Sequence, residues 1–112
     1  MKQIEIIDRT REYFDAFSNK DTGALYEMFD NSVSLRDWNV SASGIESVVK
    51  VNREIFDSCN QLSVTIEKIH ASEMTAVAEI KINIDDNEIL VADFINFNSG
   101  GLITSVVAYR GN

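Results

Sequence analysis

The chain has no proline, one cysteine, one histidine and one tryptophan in 112 residues. The lone cysteine, Cys59, excludes an internal disulfide and reads as a small residue at a helix end. One histidine and one cysteine make no zinc set, and no Gly-rich phosphate loop is present. We attach no function to the missing proline. No apolar run approaches the ~18 residues of a membrane span. The opening Met1-Lys2-Gln3-Ile4-Glu5 lacks a signal-peptide apolar region, so the expectation is a cytoplasmic protein with no membrane partner. Basic residues are scarce too: 10 Lys and Arg stand against 18 Asp and Glu, for a net charge of −8. That field repels phosphate backbones and argues against a nucleic-acid partner.

What is present is an ordinary soluble composition, 45% apolar and 25% charged, at a length that suits a single domain over residues 1–112. Residues 3–18 have helical periodicity, with Ile6, Thr10, Tyr13 and Phe17 on one stripe. Asn19-Lys20-Asp21 breaks it, and Asp21 can cap a short second helix reaching about Phe29. Asp30-Asn31 reads as a turn, 32–38 as a strand, Asn39 to Ser43 as a polar loop, and Gly44 to Ser58 as a third helix. The second half alternates: Leu62, Val64 and Ile66; then Met74 through Ile84; then 88–98; then 102–110. Asp85-Asp86-Asn87 and Ser99-Gly100-Gly101 are the turn signals between the later strands. Helices followed by hairpin-linked strands predict an α+β fold, with the helices on one face of a mainly antiparallel sheet. Ala76 and Ala78 put small residues on the buried face, where they leave room for a cavity.

Three residues are polar where the pattern asks for apolar. Asp93 lies in the row Ile89, Val91, Asp93, Ile95, Phe97, one face of a strand. A carboxylate there is costly to ionise without compensation. Asp37 follows Val33 and Leu35 in the same manner, and Tyr13 sits on the apolar stripe of the first helix. His70, near a strand end, reads as exposed. Asp85-Asp86-Asn87-Glu88 lacks calcium-loop spacing and reads as a hairpin.

These placements, with Tyr13 to Asp21, Val33 to Asp37, Gly44-Ile45 and Asp93 to Ile103, resemble the NTF2-like superfamily, nearest its SnoaL-like and ketosteroid isomerase-like branches. The resemblance implies a cone in which three N-terminal helices pack on a curved sheet. It also implies roles. Tyr13 matches the first oxyanion donor, Asp37 the general base, and Asp93 the second donor, a carboxylic acid kept protonated. Phe17, Trp38 and Asn52 fall at pocket positions. Asn52 stands where the isomerases carry a supporting tyrosine, and Trp38 where a proline often follows the base. The acid–arginine–acid set of limonene epoxide hydrolase, another relative, is not expected from Arg36 and Asp37, because adjacent strand residues face opposite sides.

The resulting expectation is a cofactor-independent, metal-free isomerase or cyclase. It would abstract a proton beside the carbonyl of a small, mostly apolar molecule. The rival expectation is a non-catalytic small-ligand-binding or assembly domain. A homodimer is expected, through an outward sheet face carrying Thr75, Val77, Val107 and Tyr109.

Overall fold

The periodicities resolve into three helices and six strands in a computed structural model describing residues 1–112. Helix α1 (Gln3–Ser18) buries Ile6, Thr10, Tyr13, Phe14 and Ala16. This is the i, i+3, i+4 spacing that puts side chains on one face. Thr10 reaches that face without cost in hydrogen bonding, because its hydroxyl donates to the Ile6 carbonyl at 2.7 Å. Lys20 ends the helix in the left-handed region, with φ 53°. Its N–H donates to Phe17 O at 3.1 Å and the Asp21 N–H to Ala16 O at 2.9 Å, a Schellman closure. Asp21 then caps α2 (Thr22–Met28), its Oδ1 accepting from the Ala24 N–H at 3.0 Å. One residue thus closes one helix and starts the next.

Strand β1 (Phe29–Arg36) and the short β2 (Ser41–Ser43) form a hairpin, and α3 (Ile45–Asp57) follows. Gly44, at φ 90°, makes the sharp entry to α3 and donates its N–H to Val33 O at 2.7 Å. That bond fixes the start of α3 on β1. Four longer strands complete the sheet: β3 (Leu62–Ser72), β4 (Thr75–Ile84), β5 (Asn87–Phe97) and β6 (Ile103–Arg110). The spatial order is β2-β1-β6-β5-β4-β3. Only β1 and β6 run parallel; every other neighbouring pair is antiparallel. Register shifts at Ile66/Lys68, Asn96/Phe97 and Phe29/Ser34 interrupt the ladders, and irregularities of this kind bend a sheet. The helices cover one face: α1 lies on β3 and β4, α3 on β1 and β2, and α2 bridges the two helices.

The alternating rows have the predicted sense. Ala76, Ala78 and Ile80 of β4 face Val91, Asp93 and Ile95 of β5 inside the core. Two local expectations are corrected. Asp30-Asn31 is not a turn, because β1 already begins at Phe29, which pairs with Ile103. Asp30 instead folds back on itself, Oδ2 accepting from the N–H and hydroxyl of Ser32. Asn39 to Ser43 is not wholly a loop, since Ser41, Ala42 and Ser43 pair with Arg36, Leu35 and Ser34. Ladder bonds use backbone groups that every residue carries, so three small residues show no side-chain sign of the pairing. No helix is long and apolar enough to cross a membrane.

Candidate functional site

The register of the sheet decides where the carboxylates meet. Asp93 pairs with Ala78 on one side and Ala108 on the other. Arg36 pairs with Val107 across the parallel β1–β6 contact. One step further along, Asp37 therefore comes beside Ala108. The row reads Ala78, Asp93, Ala108, Asp37. At roughly 5 Å per strand, the two aspartates are about 10 Å apart at Cα, with only a methyl between them. Alanines flank Asp93 on both sides, so the space above the row is left to a cavity of about 400 Å³. Tyr13, Phe17, Asp37, Trp38, Asn52 and Asp93 all line it. Its remaining wall is mostly aliphatic, from α3, β4, β5 and β6.

Asp93 is 6% exposed, and no hydrogen bond to its carboxyl group is present among the side-chain contacts. Burial pushes its pKa up to about 7, and the nearby negative charge of Asp37 adds to the effect. At neutral pH the group is therefore divided between acid and carboxylate. Tyr13 is pushed the same way, well above the ordinary phenol range, first by burial and then by the Asp93 charge. It stays a neutral O–H donor at every physiological pH. Its ring is set by Phe14, Phe17 and Phe29, at centroid distances of 5.2, 6.4 and 6.2 Å.

Asp37 is built differently. It lies just past β1, half-buried, at the start of the four-residue hairpin loop. Oδ1 accepts from the N–H groups of Asn39 at 2.7 Å and Val40 at 2.8 Å, and the Asp37 N–H donates to Val40 O at 2.9 Å. These bonds hold the carboxylate by one oxygen and leave Oδ2 without a hydrogen bond. Trp38, the next residue, is 39% exposed and forms part of the cavity mouth.

Asn52 is 2% exposed in the cavity wall, and its Nδ2 has no hydrogen-bond partner. It is the only side-chain nitrogen or oxygen wholly sealed from solvent that is left in that state. Sequence reasoning named six of the 20 wall residues and missed the others, Ala108 and Arg110 among them. Ala108 was legible, since Val106, Ala108 and Arg110 alternate in the last strand. Arg110 was not. Its guanidinium lies 5.9 Å from the centre of the Trp38 ring, and its Nε donates to Asn112 O at 2.7 Å. It forms no ion pair with Asp37 or Asp93, so no acid–arginine–acid relay exists here. His70 is exposed on β3, away from the cavity lining. No three His, Cys, Asp or Glu side chains converge as metal ligands would.

Residues 10–106 match the family model of the SnoaL-like domain. The chain belongs to the SnoaL-like domain family. Solved structures of similar SnoaL-like or NTF2-like shape agree. A candidate ketosteroid isomerase from Kribbella flavida is 14% identical, with a TM-score of 0.87 over 98% of this chain and 80% of the other. A candidate SnoaL-like polyketide cyclase from Jannaschia sp. is 12% identical, with a TM-score of 0.85 over 96% and 86%. An epoxide hydrolase of the limonene type from M. tuberculosis is 16% identical, with a TM-score of 0.82 over 97% and 84%. At such identities the likeness is one of fold. Among curated proteins, none matches. The SnoaL-like cone of helices on a curved sheet is the architecture, and its central cavity is the candidate site.

Proposed function

We propose that this SnoaL-like protein is a cofactor-independent isomerase or cyclase acting by proton abstraction next to a carbonyl. Asp37 is the base. Its free Oδ2 takes the proton from carbon, and the C–H electron pair moves toward the carbonyl oxygen to form an enolate. Tyr13 and the acid form of Asp93 donate hydrogen bonds to that oxygen as charge develops. Return of the proton to another carbon restores the Asp37 carboxylate; in a cyclisation the enolate carbon adds to a second carbonyl carbon of the same molecule, whose C=O electron pair moves to oxygen, and the Asp37 proton passes to the alkoxide so formed. The observation that carries this reading is the placement of Asp93, a buried acid whose pKa is raised to about 7 by burial, in the same cavity as Tyr13, whose phenol burial pushes well above its ordinary range. A mostly aliphatic cavity of about 400 Å³ suits a small apolar molecule.

The test is deuterium exchange into enones and 1,3-dicarbonyl compounds. Exchange catalysed by the wild type should fall by at least ~10² in Asp37→Asn, with ligand binding kept. Wild-type exchange no faster than buffer, or an unaffected Asp37→Asn, would remove the isomerase reading.

One contact favours a second reading, a ligand-binding or assembly domain without chemistry. Asp37 Oδ1 is committed to two backbone N–H groups, as in a loop-stabilising turn. Saturable binding without exchange is its signature. In either reading we expect a homodimer. Support comes from the outer sheet face, where Val77, Phe94 and Val107 form a cross-strand row and Phe94 meets Tyr109 edge-on at 5.7 Å. Sedimentation as a monomer at micromolar concentration would refute it. A cytoplasmic site of action is part of the same proposal, supported by the unpaired Cys59 thiol.

A further inference from the structure

The sheet register sorts the cavity wall along its length. Asp93 pairs with Ala78; the next inward pair is Ile80 with Val91, then Ile82 with Ile89, and Ile84 follows before the hairpin turn. Beyond Asp93, therefore, the inward rows of β4 and β5 are aliphatic. Val51 and Ile55, one turn apart on α3, line the same cavity. Helix α3 itself rests on β1 and β2 rather than on β4 and β5. Two aliphatic surfaces thus stand on separate elements with the cavity between them. Val51, Ile55, Ile82, Ile84 and Ile89 are all half-buried, so this is apolar surface that the protein's own core does not fully cover. Such surface beside a cavity marks the seat of an apolar group.

We infer that the substrate carries an aliphatic tail, which lies in this slot between α3 and the inward rows of β4 and β5. The reacting carbonyl sits at Asp93, and the tail runs from there toward the hairpin turn. Asp93 to Ile89 spans about 14 Å at the strand rise. An extended chain covers ~1.2 Å per bond, so the slot accommodates about ten carbons. The far end of the tail is neutral. Asp85, Asp86 and Glu88 stand in and beside the turn, and Glu54 lines the cavity, so a terminal carboxylate would meet repulsion. The substrate class narrows to carbonyl compounds with one aliphatic arm ended by a neutral group. This inference rests on the carbonyl reading above for the end of the substrate placed at Asp93.

The test is a homologous series of methyl β-diketones, from acetylacetone to the member with a dodecyl arm, each used below its solubility limit. Trp38 is the only tryptophan and lines the cavity, so its fluorescence reports binding. Affinity should rise about threefold per added methylene, the scale of burying one such group. The rise should level off at about ten carbons, where the slot ends. Ile89→Phe narrows one wall of the slot and Ile55→Asn makes the other polar. Each should lower affinity for the decyl member at least ~10-fold more than for acetylacetone, and thermal melting establishes that each variant is folded. A decyl arm ended by a carboxylate should bind more weakly than the methyl-ended one. The inference is overturned by affinity that does not grow with the arm, by growth that continues unchanged through the dodecyl member, or by growth that survives both substitutions. Equal affinity for the carboxylate-ended arm, or no binding of any member at millimolar concentration, overturns it as well. Because the readout is binding, the two readings fail separately. Arm-length dependence set by Ile55 and Ile89 without Asp37-dependent exchange leaves this inference standing and removes the chemistry. Asp37-dependent exchange of acetylacetone with no dependence of affinity on arm length does the reverse.

Discussion

Asp37 and Asp93 face one cavity from two kinds of backbone. Asp93 sits in the middle of β5, where the ladder uses all local N–H groups and none remains for the carboxylate. Asp37 sits one residue beyond β1, where the chain turns and two N–H groups are free to bind it. A strand interior therefore strips a carboxylate of solvation and raises its pKa, whereas a turn offers it backbone donors. The proposed division between a proton acceptor and a proton donor follows this difference between loop and ladder. It does not require any difference in side-chain chemistry.

The sharpest way to break this comparison is Asp93→Asn, read by urea unfolding. The folded pKa of Asp93 stands near 7 against an ordinary value of 3.8. The folded state holds the proton more tightly, so the contribution of this group is full below pH ~4 and is lost as pH rises to about 7. Asparagine does not titrate. Its stability relative to the wild type should therefore grow by about 4 kcal/mol across that window and level off above it. A flat difference would mean that Asp93 is ionised and compensated, and the contrast with Asp37 would disappear.

Tyr13→Phe comes next in size. It removes one neutral donor and keeps the ring that packs against Phe14 and Phe29. The exchange rate should fall by about a hundredfold, near 3 kcal/mol, with ligand affinity almost unchanged. Equal losses in affinity and rate would make Tyr13 a positioning group alone.

A smaller effect is the alkaline limb of the wild-type rate. Above pH ~7 the acid form of Asp93 is depleted, so exchange should fall up to tenfold per pH unit, or about 1.4 kcal/mol. In Asp93→Asn that limb should vanish, although the overall rate is lower. Persistence of the limb would assign it to another group.

The smallest effect tests the coupling itself. Asp37→Asn removes the second cause of the raised Asp93 pKa and leaves burial, the larger one, in place. A carboxyl carbon NMR titration should show the Asp93 pKa lowered by less than about one unit, as expected for a charge acting across several ångströms. No change would place Asp37 too far away to act on the same small substrate as Asp93.

Much of this was legible without coordinates. Period-two alternation put Asp93 among Val91, Ile95 and Phe97, and helical spacing put Tyr13 and Asn52 on buried stripes, because local backbone geometry alone sets those directions. The sequence could not reveal β2, whose three residues show no pattern, or the start of β1 at Phe29, where a turn-like Asp-Asn pair is absorbed into the strand. Nor could it show that Oδ1 of Asp37 is held by Asn39 and Val40.

Sequence by itself determined the order of the elements, the inward rows, and the presence of three polar residues on apolar faces. Tertiary structure alone decided that these residues share a cavity. The deciding contact is the parallel pairing of β1 with β6, which joins strands about seventy residues apart in the chain and sets Asp37 on the far side of Ala108 from Asp93. Which strands become neighbours, and in what register, depends on the whole core closing at once. For the same reason the pairing of Asn52 was hidden: a helix stripe tells which way a side chain points, and only the packed opposite wall tells whether anything is there to meet it.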